Sequence, residues 1–96
     1  MKLNGVRVLL ADDHAMVRLG FRLLLEGAGA SVIGEADCGE SAVRLYAESN
    51  PDVVVMDVSM PGLGGLAALE RLLVWEPKAR VLMLSAHHDD IVPVRA

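Results

Sequence analysis

Val53-Val54-Val55-Met56-Asp57 runs straight into Val58-Ser59-Met60-Pro61-Gly62. Four apolar residues in succession, three of them valine, read as a short strand buried on both faces, as in a parallel sheet covered by helices on either side. The carboxylate that ends the run stands at the strand's carboxyl end, just before a Pro-Gly turn. In open α/β sheets that is the edge where ligands bind. A second run, Val6-Arg7-Val8-Leu9-Leu10-Ala11, ends the same way, in Asp12-Asp13-His14. If the two strands are parallel neighbours, three carboxylates meet at one rim.

Helical and strand patterns alternate outward from these two runs. Met16 to Glu26 reads as a helix with Val17, Gly20, Phe21 and Leu24 on its inner face, stopped by Gly27 and Gly29. Ser31-Val32-Ile33-Gly34 reads as a short strand. Asp37 with Glu40 three residues later has the spacing of a capping box, opening a helix to about Glu48 with Val43, Tyr46 and Ala47 buried. Asn50-Pro51-Asp52 separates it from the valine run. Gly65 opens a third helix with Leu66, Leu69, Leu72 and Leu73 inward and Trp75 packed at its end, and Pro77 marks its stop. Arg80 to Leu84 is a fourth strand ending in Ser85, and Asp89 is placed to cap a further helix. The order β-α-β-α-β-α-β-(α), without repeats or linkers, predicts a parallel sheet with right-handed crossovers and helices on both faces.

Composition narrows the function classes. Ninety-six residues make one small domain, and 53% hydrophobic content is enough for a real core. The apolar stretches are strand-sized, well short of the roughly 20 residues of a membrane-spanning helix. The N-terminus has no apolar core or cleavage site of a secretory signal. A single cysteine, Cys38, fits a reducing compartment, so a cytoplasmic location is expected. Thirteen acidic against nine basic residues give a net charge of -4, without a Lys/Arg cluster and with only three aromatics. Direct nucleic-acid binding by this segment is therefore disfavoured.

Asp12, Asp13 and Asp57 carry the chemistry. Two carboxylates some 4 Å apart repel by roughly 4 kcal/mol at an effective dielectric of about 20. Three together call for a cation, and hard carboxylate oxygens suit Mg²⁺, which uses few protein ligands and keeps several waters. An aspartate can also act as a nucleophile and form an acyl phosphate. For a lone Asp, loop or cap chemistry is the better reading; for a pair and a single Asp closing two buried strands, the site is. Ser85 closes the fourth strand at the same edge, where its hydroxyl can donate to a phosphoryl oxygen, although alone it would read as turn chemistry. His14, His87 and His88 lack zinc-site spacing and read as exposed loop residues.

VLLADDH, VVVMDVSMPGLGG and VLMLSA, in this order and with helices between them, resemble the receiver domain of bacterial two-component response regulators. ADDHAMVRLGFRLLLE and IGEADCGESAV are most similar to the subfamily whose receivers precede a LuxR/NarL-type helix-turn-helix output domain. The resemblance covers the whole chain, residues 1–96. It implies a flavodoxin-like, doubly wound parallel sheet with strand order 2-1-3-4. It also implies that Asp57 is the phosphoacceptor, that Asp13 contacts Mg²⁺ and Asp12 acts through water, that the backbone carbonyl of Ser59 binds the metal, and that Ser85 is the switch hydroxyl. The implied partner is a sensor histidine kinase, and the receiver is a phosphoacceptor that catalyses only its own phosphorylation and dephosphorylation. DNA would be contacted only through an output domain that is not in this chain.

One departure from the family pattern shapes the expectations. The family's fifth strand with its lysine and aromatic switch residue, and its fifth helix, have no counterpart, since Lys78 is the last lysine and precedes the fourth strand. The chain thus reads as a C-terminally truncated receiver. Three aspartates with Mg²⁺ carry a net charge of about -1, and a phosphoryl group of about -2 on Asp57 brings this to about -2, which a lysine would halve. Weak Mg²⁺ binding and poor phosphorylation are expected, together with self-association through uncovered apolar surface and an open sheet edge. An alternative of another class is a receiver-like interaction module that is not phosphorylated: the absent lysine favours it, the full acidic set opposes it. A nucleotide- or flavin-binding protein ranks lower, because Asp12-Asp13 stands where a phosphate cradle is needed. So does an aspartyl phosphatase, which would want a second acid where Ser59 stands.

Overall fold

The computed structural model describes residues 3–84. Within them the chain forms β1 (Arg7–Ala11), α1 (Ala15–Gly27), β2 (Ser31–Ala36), α2 (Gly39–Ser49), β3 (Val53–Asp57), α3 (Gly65–Trp75) and β4 (Val81–Leu84). The strands make one sheet in the order β2-β1-β3-β4, and every neighbouring pair is parallel. Both the topology and the strand order match the sequence-based expectation. Asp89 and the helix it was expected to cap lie outside the described residues.

Side-chain alternation along each strand divides the core into two layers. Leu9, Ala11, Val54, Met56 and Met83 join Ala42 and Tyr46 of α2 and Ala68, Leu69 and Leu72 of α3. Val8, Leu10 and Val55 form the other layer, against Phe21 and Leu25 of α1. Thus α2 and α3 cover one face and α1 the other. The chain steps from β1 outward to β2, then crosses back to β3, so the sheet order reverses between β1 and β3. This reversal opens a crevice at their carboxyl ends.

Several local expectations are corrected. β2 extends two residues further, to Ala36, because Glu35 is paired with Arg18 and Arg22 of α1 and so is tolerated in a strand. The Asp37–Glu40 capping box does not form; the N-cap of α2 is Cys38, without a side-chain cap. In α1 the inner face is Val17, Phe21 and Leu25, whereas Leu24 is 73% exposed. Leu66, Ala47 and Trp75 also face solvent. Gly29, not Gly27, supplies the left-handed residue after α1, with φ 99°, and the Ala30 N–H then reaches back to the Leu25 carbonyl.

Candidate metal centre

The register of the sheet brings the acidic residues together. Ala11 of β1 pairs with Met56 of β3, so the next residues, Asp12 and Asp57, leave the sheet side by side. Asp12 is anchored by its own backbone: its N–H donates to the Ala36 carbonyl at 2.9 Å, and its carbonyl accepts from Arg18 Nη1 at 2.6 Å. Asp57 is 0% exposed and Asp12 5%. Burial of that depth costs a charged group free energy unless something compensates it.

Each of these two carboxylates has one oxygen satisfied and one not. Asp12 Oδ1 accepts the His14 N–H at 2.7 Å, and Asp57 Oδ1 accepts the Ser59 N–H at 3.1 Å. Asp12 Oδ2 and Asp57 Oδ2 are buried without a hydrogen-bond partner. Asp13 and His14 sit on the solvent side of the same cluster. One ligand atom from each of Asp12, Asp13, His14 and Asp57 can be chosen so that all four lie within 4.8 Å of one another. Two carboxylates at that separation repel by about 3–4 kcal/mol at an effective dielectric near 20. Orphaned buried oxygens, mutual repulsion and hard donors together fit a divalent cation.

The turn after Asp57 is fixed from two sides. Gly62 and Gly64 adopt φ values of 70° and 79°, which side-chain-bearing residues rarely take, and the Gly65 N–H closes the turn on the Val58 carbonyl at 3.1 Å. From α2, Glu40 Oε1 accepts the Leu63 N–H at 3.1 Å. That bond, more than any other influence, holds the Glu40 carboxyl below its ordinary range, so the tether is charged at neutral pH. A clamp across 23 residues replaces the expected local cap.

Of the residues singled out in the sequence, Asp12, Asp13 and Asp57 converge as expected. Ser59 is placed at the site by its N–H on Asp57 Oδ1. Ser85 lies outside the described residues; the residue before it, Leu84, pairs with Asp57 and accepts the Val58 N–H at 2.8 Å. The expectation that His14 is only an exposed loop histidine is incomplete. It is half-exposed, but Nδ1 lies 3.2 Å from Asp12 Oδ1 and 3.1 Å from Asp13 Oδ1. Its adjacency to the acidic pair at a strand end was the available signal. Glu40 had no signal of this kind, because its partner is distant in sequence.

Comparisons with known proteins bear on the family and the fold. Residues 8–96 match the family model described as the response regulator receiver domain. The response regulator GacA of Pseudomonas aeruginosa is 45% identical over 91 residues, covering 94% of this chain and 42% of that protein. The chain thus spans less than half the length of this curated relative. Among solved structures, a LuxR-family two-component response regulator from Aurantimonas sp. SI85-9A1 superposes with a TM-score of 0.83 at 42% identity, over 88% of this chain and 61% of that one. The CheX-CheY-BeF3-Mg complex from Borrelia burgdorferi gives a TM-score of 0.83 at 30% identity, over 86% of this chain and 63% of that one.

Proposed function

Because this chain belongs to the response regulator receiver domain family, we propose that residues 1–96 form a phosphoacceptor receiver. In this reading Asp57 takes a phosphoryl group from the phosphohistidine of a sensor kinase with Mg²⁺ as cofactor. The observation that carries it is the fully buried Asp57, one oxygen held by the Ser59 N–H and the other without a partner, beside a second half-satisfied carboxylate. Such a group is poised to be used, since nothing in the fold rewards its burial.

Asp57 attacks phosphorus through a carboxylate oxygen; the P–N bond to the donor histidine breaks as the O–P bond forms, and imidazole is the leaving group. Asp12, Asp13, Asp57 and the Ser59 carbonyl would hold Mg²⁺, which would offset charge on the phosphoryl oxygens. Ser85 donates its hydroxyl to the phosphoryl group and so reports the modified state. Similarity to GacA and to a LuxR-family regulator supports the reading in which a DNA-binding output domain acts with this receiver to control transcription. No helix among the described residues is long and apolar enough to cross a membrane.

Acetyl phosphate with Mg²⁺ tests the reading directly. Slow uptake of less than one phosphoryl group per chain, seen by intact mass, is expected for the unmodified protein, in line with the absent lysine, and none for Asp57→Asn or in EDTA. Equal uptake by Asp57→Asn, or none by the unmodified chain with Mg²⁺ present, would sink it and leave the unphosphorylated interaction module.

Self-association belongs to the same proposal. Met16, Leu19 and Leu23 recur at helical spacing along α1 and are 78%, 47% and 63% exposed, while Leu82 on the edge strand β4 is 55% exposed. Exposed apolar side chains of this kind favour a contact site, and a second copy is the occupant of this reading. Sedimentation is expected to show mass rising with concentration, and Leu19→Glu with Leu23→Glu should return the chain to monomer. A concentration-independent monomer before any substitution would refute it.

A further inference from the structure

The acidic cluster contains a nitrogen donor that three aspartates do not require. His14 is the N-cap residue of α1, in an extended conformation with φ -97° and ψ 108°. Its N–H on Asp12 Oδ1, at 2.7 Å, fixes its backbone against the acidic pair. Its Nδ1 is then 3.2 Å from Asp12 Oδ1 and 3.1 Å from Asp13 Oδ1.

These separations have a meaning beyond ion pairing. Around an octahedral dication with bonds of about 2.1 Å, adjacent ligands lie about 3.0 Å apart and opposite ones about 4.2 Å. The His14 nitrogen sits one octahedral edge from each of two carboxylates, and all four candidate donors fall within 4.8 Å. Independently, Asp12 Oδ2 and Asp57 Oδ2 are buried and unpartnered in the same place, so the cluster is short of positive charge. Were His14 only a hydrogen-bond donor to the two carboxylates, it would leave those two oxygens as they are.

We propose that His14 Nδ1 is an inner-sphere ligand of the divalent ion, and that this site prefers a later first-row transition dication such as Co²⁺ to Mg²⁺. The proposal rests on the reading of Asp12, Asp13 and Asp57 as a divalent-ion site. Imidazole suits the later first-row metals, whereas Mg²⁺ gains little from nitrogen and gives up its waters reluctantly. A site of oxygens alone would discriminate less between these ions. Replacing one water by a nitrogen already positioned by the backbone turns a magnesium-type oxygen site into a mixed nitrogen–oxygen site.

Calorimetric titration with MgCl₂, MnCl₂ and CoCl₂ separates the outcomes. The 96-residue chain is used with His87→Ala and His88→Ala, which leaves His14 as its one imidazole. Co²⁺ is expected to bind at least about tenfold more tightly than Mg²⁺, and His14→Ala to remove about tenfold of the Co²⁺ affinity while changing that for Mg²⁺ less than about twofold. The Co²⁺-loaded protein should show a far-downfield, hyperfine-shifted imidazole N–H resonance that disappears in His14→Ala. An equal loss for both ions, no loss for either, or absence of that resonance in the parent would overturn the role of His14 while leaving the carboxylate site standing. No binding of any of the three ions, or affinities untouched by Asp57→Asn, would remove the carboxylate reading itself, and the proposal with it.

Discussion

Replacing Asp57 by asparagine is expected to make the metal-free protein more stable, by about 1–3 kcal/mol, or roughly 5–15 °C in Tm for a domain of this size. Asp57 is the most deeply buried charge among the described residues; one oxygen has a single N–H for company and the other has none. Asparagine keeps the shape and the acceptor toward the Ser59 N–H, and it removes the charge that faces Asp12. The same substitution is expected to remove most of the stabilisation by Mg²⁺. A ligand that binds only the folded state contributes about 2.7 kcal/mol at a concentration one hundred times its Kd. Thermal melts of both chains in EDTA and in saturating Mg²⁺ decide the matter. An asparagine variant that melts below its parent in EDTA, or that gains as much from Mg²⁺, would show that Asp57 is not a strained, metal-compensated carboxylate.

That a buried, half-satisfied carboxylate is a thermodynamic liability explains why Asp57 stands out in the sequence. Val53 to Met56 and Val6 to Ala11 are so apolar that a carboxylate directly after each breaks the local pattern. Parallel order then places the breaks at one edge, so Asp12, Asp13 and Asp57 needed no tertiary information beyond the alternation of elements. α1 was less legible. Met16, Val17, Leu19, Phe21, Leu23, Leu24 and Leu25 surround the helix with apolar groups, so the periodicity had no unique phase, and Leu24 was assigned inward in place of Leu25. Glu35 hid the end of β2, because its acceptability depends on Arg18 and Arg22 reaching over from α1. Glu40 misled for the opposite reason: the spacing from Asp37 met a local rule, and a distant N–H at Leu63 won the carboxylate.

The position that ties the fold most closely to the site is Gly65, and Gly65→Ala is expected to cost about 3 kcal/mol, a large part of the 5–15 kcal/mol typical of a whole domain. A Cβ at Gly65 would collide with the carbonyl oxygen of Asp57 and would stand 2.9 Å from both the Asp57 carbonyl carbon and Val58 Cα. All three neighbours are backbone at the end of the central strand β3, and the Gly65 N–H is already bonded to the Val58 carbonyl. None of them can rotate away as a side-chain end could. Relief requires α3 to lift from the sheet, which uncovers Ala68, Leu69 and Leu72, or the end of β3 to move, which displaces Asp57. Gly20→Ala is the matched control: a Cβ there meets nothing within 4 Å, and alanine inside α1 should gain roughly 0.5–1 kcal/mol. Urea denaturation of the two variants should therefore move the midpoint in opposite directions. A Gly65→Ala midpoint equal to that of the parent would mean that α3 does not rest on the Asp57 backbone, and that the strand end carrying Asp57 is free to shift.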